Sequence, residues 1–268
     1  MSRRLENQVA IVTGAGRGFG RSIARQFAAE GAAVALVART ASQLDAVAGE
    51  IRTAGGRALT IPADVTEDGD VARVLREAEG HFGPVTLLVS NAGIPGPFGP
   101  IWTVDPAAWW AAQRLHILAP LLLLQAVLPG MTTRRAGRVI IVSAIASRLV
   151  APYLSAYCVG KIAQTRITEE AAAETRALGV SVFAIDPGFV FTGMAEATMN
   201  SPDAQRWLPG MVERLRQKQR APDRDADLAR CAERCVELAS GRYDALSGRY
   251  FELDDNLEEL VRQASAAH

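Results

Sequence analysis

Tyr157 and Lys161 stand four residues apart in the run Ser155-Ala156-Tyr157-Cys158-Val159-Gly160-Lys161. On a helix that spacing puts both side chains on one face. A phenol with an ordinary pKa near 10 is a poor base at neutral pH. A neighbouring ammonium stabilises the phenolate and lowers that value. The same phenol can then give a proton to a carbonyl oxygen or take one from an alcohol. By itself such a pair is most often a surface coincidence, so its meaning depends on what surrounds it.

The surroundings begin at the N-terminal end. The apolar run Val9-Ala10-Ile11-Val12 leads into Thr13-Gly14-Ala15-Gly16-Arg17-Gly18-Phe19-Gly20, and a helical pattern follows. Gly14, Gly18 and Gly20 let the chain turn tightly and bring backbone close to a pyrophosphate. The new helix offers free N–H groups and the positive end of its dipole to that anion. Glycines alone can serve any tight strand–helix turn; here strand, spacing and helix coincide. An acid at the end of the second strand would bond the ribose 2′-hydroxyl of NAD and repel a 2′-phosphate. That strand reads Val34-Ala35-Leu36-Val37-Ala38-Arg39, with Ala38 in the acid's place and Arg39 after it. Arg17 supplies a second guanidinium to the same region, and guanidinium suits bidentate phosphate binding. NADP(H) is the expected cofactor; if Arg39 only stacks on adenine, NAD stays open.

The spacing TGxxxGxG, followed in order by four further motifs, resembles the short-chain dehydrogenase/reductase family over nearly the whole chain. Asp64-Val65 follows the third strand, where members hold adenine. Ser90-Asn91-Ala92-Gly93 is similar to the family's NNAG segment, and Tyr157 with Lys161 forms its YxxxK. Asp186-Pro187-Gly188-Phe189-Val190-Phe191-Thr192 resembles the stretch whose backbone and threonine hold the nicotinamide amide. The resemblance implies reversible hydride transfer between NADP(H) and a carbonyl or alcohol, with Tyr157 as acid or base. It also implies that Lys161 bonds the nicotinamide ribose. No metal is implied.

Two positions depart from that pattern. Thirteen residues before Tyr157, where the family has a serine hydroxyl, the sequence has Ala144, with Ser143 beside it. Neighbouring strand residues point to opposite faces, so Ser143 can substitute only where the chain bulges or turns. His116 falls where a helix-kinking asparagine holds a water of the proton relay. It either passes protons itself, with an unperturbed pKa near 6.5, or is a buried, hydrogen-bonded core histidine. These departures leave two alternatives to carbonyl reduction: a dehydration, cyclisation or isomerisation on the same fold, and an NADP(H)-binding protein without turnover. Retention of both Tyr157 and Lys161 tells against the last.

The elements that must position these residues alternate short β-branched runs with helical patterns, the rhythm of βαβ units and a parallel sheet. Strands are predicted at Val9–Thr13, Ala33–Ala38, Ala58–Pro62, Val85–Ser90, Arg138–Val142, Val180–Ile185 and Leu246–Leu253. Helices are predicted at Gly18–Glu30, Ala41–Ala54, Asp68–His81, Trp109–Leu128, Tyr157–Leu178 and Arg224–Leu238. The expected fold is α/β, a single doubly wound parallel sheet with helices on both faces, residues 1–268 forming one domain. Residues 193–222 follow a strand's C-terminal end, where open sheets bind ligands, and read as a substrate lid or as an ordinary insertion. Phe98, Trp102, Tyr153, Phe189, Met194 and Trp207 are candidates for an apolar pocket wall.

The 29 basic and 29 acidic residues cancel, which argues against nucleic acid or an acidic membrane surface as partner. Leu115–Leu128 is too short to span a bilayer; apolar round most of its circumference, it suggests a homodimer or homotetramer. Three cysteines, an odd and sparse set, imply a reduced, cytoplasmic setting. Cys231 and Cys235 have no further ligand near in sequence and read as core rather than metal ligands.

Overall fold

The computed structural model describes residues 3–266. Seven parallel strands form one sheet in the order β3-β2-β1-β4-β5-β6-β7. They are β1 Val9–Thr13, β2 Ala33–Ala38, β3 Arg57–Pro62, β4 Leu87–Ser90, β5 Gly137–Val142, β6 Val180–Ile185 and β7 Tyr250–Phe251. The chain order reverses between β1 and β4, so the crevice at their C-terminal ends is where such sheets bind ligands.

Strands β1, β2, β4 and β6 are buried along nearly their whole length because both faces are covered. Alternate residues sort cleanly. Ala10, Val12, Val34, Leu36 and Phe183 pack with Ile23 and Phe27 of α1 (Gly18–Ala29), Leu44 of α2 (Ala41–Thr53) and Cys231 and Cys235 of α10 (Ala226–Ala239). Val9, Ile11, Val37, Val139 and Val182 pack on the other face. They meet Val71 and Val74 of α3 (Asp68–Phe82), Leu123 and Val127 of α5 (Ala119–Arg134) and Ala171 of α6 (Ser155–Thr175). Cys231 and Cys235 are thus buried core residues, and no cluster of metal-ligating side chains occurs among the described residues.

Two predicted elements differ, and four helices form where none was predicted. The strand expected at Leu246–Leu253 is only Tyr250–Phe251, because a 3-10 turn at Asp244–Leu246 and Gly248 at φ +91° interrupt the run. The helix expected at Trp109–Leu128 begins earlier, as α4 (Pro106–Gln113), whose first amides are capped by the Asp105 carboxylate. It continues through a π segment, Arg114–Leu118, into α5. Pro120 lacks the N–H that would bond the His116 carbonyl in a regular helix, and the turn widens there. Pro106–Arg134 is long and apolar enough to cross a membrane by length and composition, but its Leu123, Val127 and Met131 face the sheet. Finally, the segment after β6 forms three helices, α7 (Gly193–Asn200), α8 (Pro202–Trp207) and α9 (Pro209–Arg220), and the chain ends in α11 (Leu257–Ala266).

Candidate active site

A cleft of about 440 Å³ opens at the C-terminal ends of β1, β2 and β4. Gly14 and Gly18 line it at φ +63° and +56°, a left-handed backbone that side chains rarely adopt. A Cβ on Gly14 would lie 2.8 Å from the Asn91 amide, and one on Gly20 2.3 Å from the Gly14 carbonyl oxygen. Gly20 does not line the cleft; it lets α1 pack directly under the loop. Thr13 ties the two sides together. Its Oγ accepts from the amides of Asn91 (2.9 Å) and Ala92 (3.1 Å), and Asn91 Nδ2 donates back to its carbonyl at 2.9 Å. Neither Thr13 nor this clamp follows from the glycine spacing alone.

Arg17, Phe19, Arg39, Asp64, Val65, Ala92, Gly93 and Thr192 all line the same cleft. Asp64 accepts from the Thr66 amide and hydroxyl at 3.0 and 2.8 Å. Arg17 and Arg39 are exposed, and neither forms an ion pair among the described residues. Arg17 lies against the backbone of Gly193, where α7 begins. Pro187, Gly188 and Val190 form the turn beneath Thr192 and do not line this cleft; Gly188 bends there at φ +85°.

Tyr157 and Lys161 share one face of α6, with Lys161 Nζ 5.4 Å from the centre of the Tyr157 ring. Lys161 is buried and donates to the Val142 carbonyl at 2.9 Å and to Gln164 Oε1 at 3.0 Å. Gln164, one turn further on the same helical face, is a contact that the motif did not announce. Burial pulls the Lys161 ammonium down to about 7. The expected lowering of the Tyr157 pKa is not found. Burial pushes the phenol up, and the Asp186 charge pushes the same way. Burial opposes every charge that lacks solvent, and a lysine held near 7 carries only part of its charge at neutral pH.

Ser143 is also placed differently. It follows β5 with its hydroxyl donating to the Lys161 carbonyl at 3.0 Å and 3.4 Å from Thr165 Oγ. Its proton is therefore committed to α6, and no bulge turns it round, because the Ser143 amide bonds the Ile185 carbonyl in register at 2.8 Å. Ala144 leaves the neighbouring place without a hydroxyl.

His116 sits in the π segment, fully buried, its ring edge-on to Tyr157 with 5.6 Å between centres. Its Nε2 lies 2.9 Å from the Ile94 carbonyl, which can only accept, so Nε2 carries the proton. Nδ1 is left bare and has no partner among the described residues. Gly160 packs against this ring, a Cβ there falling 2.6 Å from His116 Cβ. Burial, then the Lys161 charge, hold the imidazole down to about 3, so it stays neutral through the physiological range and does not cycle through imidazolium. The sign follows: between about 3 and 6.5 the unfolded chain binds the extra proton, so this group's contribution to stability is lost as pH falls through that window. At about 1.4 kcal/mol per unit of difference, urea unfolding should show a slope of several kcal/mol from pH 3 to 6.5. A His116→Gln variant should lack it; an equal slope in the variant would show that His116 does not titrate this way.

The helices that follow β6 reach the site from the other side. Phe98, Leu154, Ala204 and Val212 form a buried cluster joined by Tyr157, Met199 and Met211. Tyr153 stacks at 5.3 Å on Trp207 of α8 and holds a strained φ of +69°, its carbonyl accepting from the Gly99 amide at 2.9 Å. Met194 faces Gly93 across the cleft. Trp102 and Phe189, expected in the pocket wall, point outward, Trp102 81% exposed and Phe189 under the Arg214 guanidinium.

A family model described as short chain dehydrogenase matches residues 8–203. The chain belongs to the short chain dehydrogenase family. It is 33% identical over 267 residues to a short chain dehydrogenase of Pseudocercospora fijiensis, covering 97% of this chain and 84% of that one. Among solved structures, a metagenomic short-chain oxidoreductase in complex with NADP is 37% identical at a TM-score of 0.66, over 70% of this chain and 85% of that one. A protein from Beutenbergia cavernae, with NADP bound at low occupancy, is 28% identical at a TM-score of 0.80, over 95% of this chain and 98% of that one. This short chain dehydrogenase is by family an oxidoreductase with a nicotinamide dinucleotide site, and the left-handed glycines and their lack of room for a Cβ fit that group. The family match ends within α8, short of α9.

Proposed function

We propose that the protein is an NADPH-dependent reductase of apolar ketones, working as one catalytic domain over residues 1–268 with residues 193–222 as its substrate lid. The observation that carries this reading is the Tyr157–Lys161 pair on α6, beside a glycine-loop cleft that holds two unpaired arginines and no acid at the end of β2. Arg39 and Arg17 would hold the 2′-phosphate, and Asp64 and Val65 would border the adenine. The backbone around Pro187, Gly188 and Val190, with Thr192, would hold the carboxamide. The reduced nicotinamide, when bound, supplies a hydride to the carbonyl carbon.

The chain's own residues then manage the oxygen. Tyr157, kept protonated by its burial, donates the phenolic proton to the carbonyl oxygen as negative charge grows there. The phenolate left behind is stabilised by Lys161 in its ammonium form, whose third N–H is free of the two acceptors that orient it. The raised phenol favours the reducing direction, since an alcohol would have to give its proton to a tyrosine that is rarely ionised. With Ser143 bonded to α6, a second donor to the oxygen is lacking, which costs on the order of 10²–10³ in rate relative to a site that has one. Tyr153, Phe98, Trp207 and Met194 would form the apolar wall, and the pairing of two or four copies through α5 and α6 fits the apolar surface there.

Decrease of absorbance at 340 nm with cyclohexanone, acetophenone and 2-decalone tests the reading. NADPH should be consumed steadily and NADH at least tenfold more slowly. Product formed without net NADPH change would instead mark a redox-neutral reaction.

A further inference from the structure

We propose that Asp186 is a positioning residue of the acid–base site, a countercharge to the Lys161 ammonium beside Tyr157. The inference rests on the reading of that pair given above and names a residue outside its motif.

Asp186 is the first residue after β6, and its place follows from register. Val142 pairs with Ile185, and the Ser143 amide bonds the Ile185 carbonyl at 2.8 Å. Lys161 Nζ is anchored on the Val142 carbonyl at 2.9 Å. Asp186 therefore stands at the end of the strand next to the one that holds the lysine, alongside Ser143, whose hydroxyl bonds the Lys161 carbonyl. Its own amide donates to the Phe251 carbonyl of β7 at 2.7 Å. The carboxylate accepts from the Gly188 amide at 3.3 Å. That backbone donor orients the carboxylate, and Gly188 turns back to reach it with a left-handed φ of +85°.

The charges around Lys161 single this carboxylate out. From β5 and from its own helix the ammonium meets only neutral acceptors, the Val142 carbonyl and Gln164. From the π segment it meets neutral His116, and on α6 the protonated Tyr157. Asp186 is the one anion acting on it, and it opposes the effect of burial. Burial, and after it the Glu252 charge, hold Asp186 above the usual carboxylate range, while the Lys161 charge pulls it back; Arg148 partly offsets Glu252 at 3.8 Å, and the neighbouring Tyr250 and Cys231 are uncharged. The same carboxylate favours the protonated form of Tyr157. One carboxylate thus raises the charged share of the lysine against the effect of burial and favours the neutral tyrosine, the two forms a proton donor needs.

The composition makes this directly measurable, because Lys161 and Lys218 are the only lysines in the sequence. With lysine labelled at ¹³Cε, the full-length protein gives two titrating signals. Lys218, on α9 and paired with Asp223, is the internal control. In the wild type the Lys161 signal should titrate near 7. In Asp186→Asn its midpoint should fall by about 1–2 pH units, and in Asp186→Glu it should stay within half a unit of wild type, with Lys218 unmoved in both. An unchanged Lys161 midpoint in a folded Asp186→Asn protein overturns the proposal. The basic limb of kcat against pH for ketone reduction should move down with the lysine. A limb that stays put while the NMR midpoint moves counts against the acid–base reading of Lys161, and leaves the countercharge standing.

Discussion

Replacing Tyr157 with phenylalanine should reduce kcat for ketone reduction by about 10³–10⁴-fold, the upper range for losing a positioned general acid, while leaving NADPH affinity within a few-fold. The ring packs on one side against His116 and on the other into the cluster shared with α8 and α9. Phenylalanine keeps those contacts and removes only the hydroxyl, so Tm should move by no more than a degree or two. No other residue takes over. Ser143 donates to the Lys161 carbonyl, and Ala144 has no proton to give. His116 holds its one proton on Nε2 against the Ile94 carbonyl. The loss should appear in kcat rather than KM, because the interaction strengthens only as charge develops on the substrate oxygen. Stopped-flow fluorescence of NADPH binding beside steady-state turnover separates the two.

The second large effect concerns cofactor choice. A double Arg17→Ala, Arg39→Ala variant should bind NADPH about 100-fold more weakly and NADH within threefold of wild type. Hydrogen bonds from a charged donor contribute about 1.5–3 kcal/mol each, and both guanidinium groups are unpaired and exposed in the cleft. Removing either arginine alone should cost less, with Arg39 the larger share, since Arg17 rests against Gly193 and must swing from α7 to reach the phosphate. Isothermal titration with both nucleotides reads the result. Equal losses for NADPH and NADH would mean that the arginines serve the pyrophosphate or the adenine instead.

The sheet was legible because strands buried on both faces must be apolar throughout, and β1, β2 and β6 match their sequence boundaries for that reason. β7 was overread because one left-handed glycine and a 3-10 turn end an apolar run without changing its hydropathy. The helices after β6 carry little periodic signal: α9 buries only Val212 and Leu215 beneath a row of charged residues. At the site, spacing was enough to put Tyr157 and Lys161 on one face and to gather the glycine loop, Asn91 and Thr192 around one cleft. What spacing could not supply was environment. The direction of the Tyr157 shift depends on burial and on Asp186, a residue that is 29 positions away in sequence and one strand away in space. The orientation of Ser143 likewise depends on the β5–β6 register and not on its neighbours in sequence.

Transfer of deuterium from NADPH labelled at the nicotinamide C4 to a ketone carbon tests the central claim most directly. With wild-type protein and 2-decalone, mass spectrometry of the alcohol should show one deuterium on the carbinol carbon for each NADPH consumed, and the Tyr157→Phe variant should form almost none. Product that carries no deuterium, or undiminished transfer in the variant, would contradict hydride addition assisted by the Tyr157 proton.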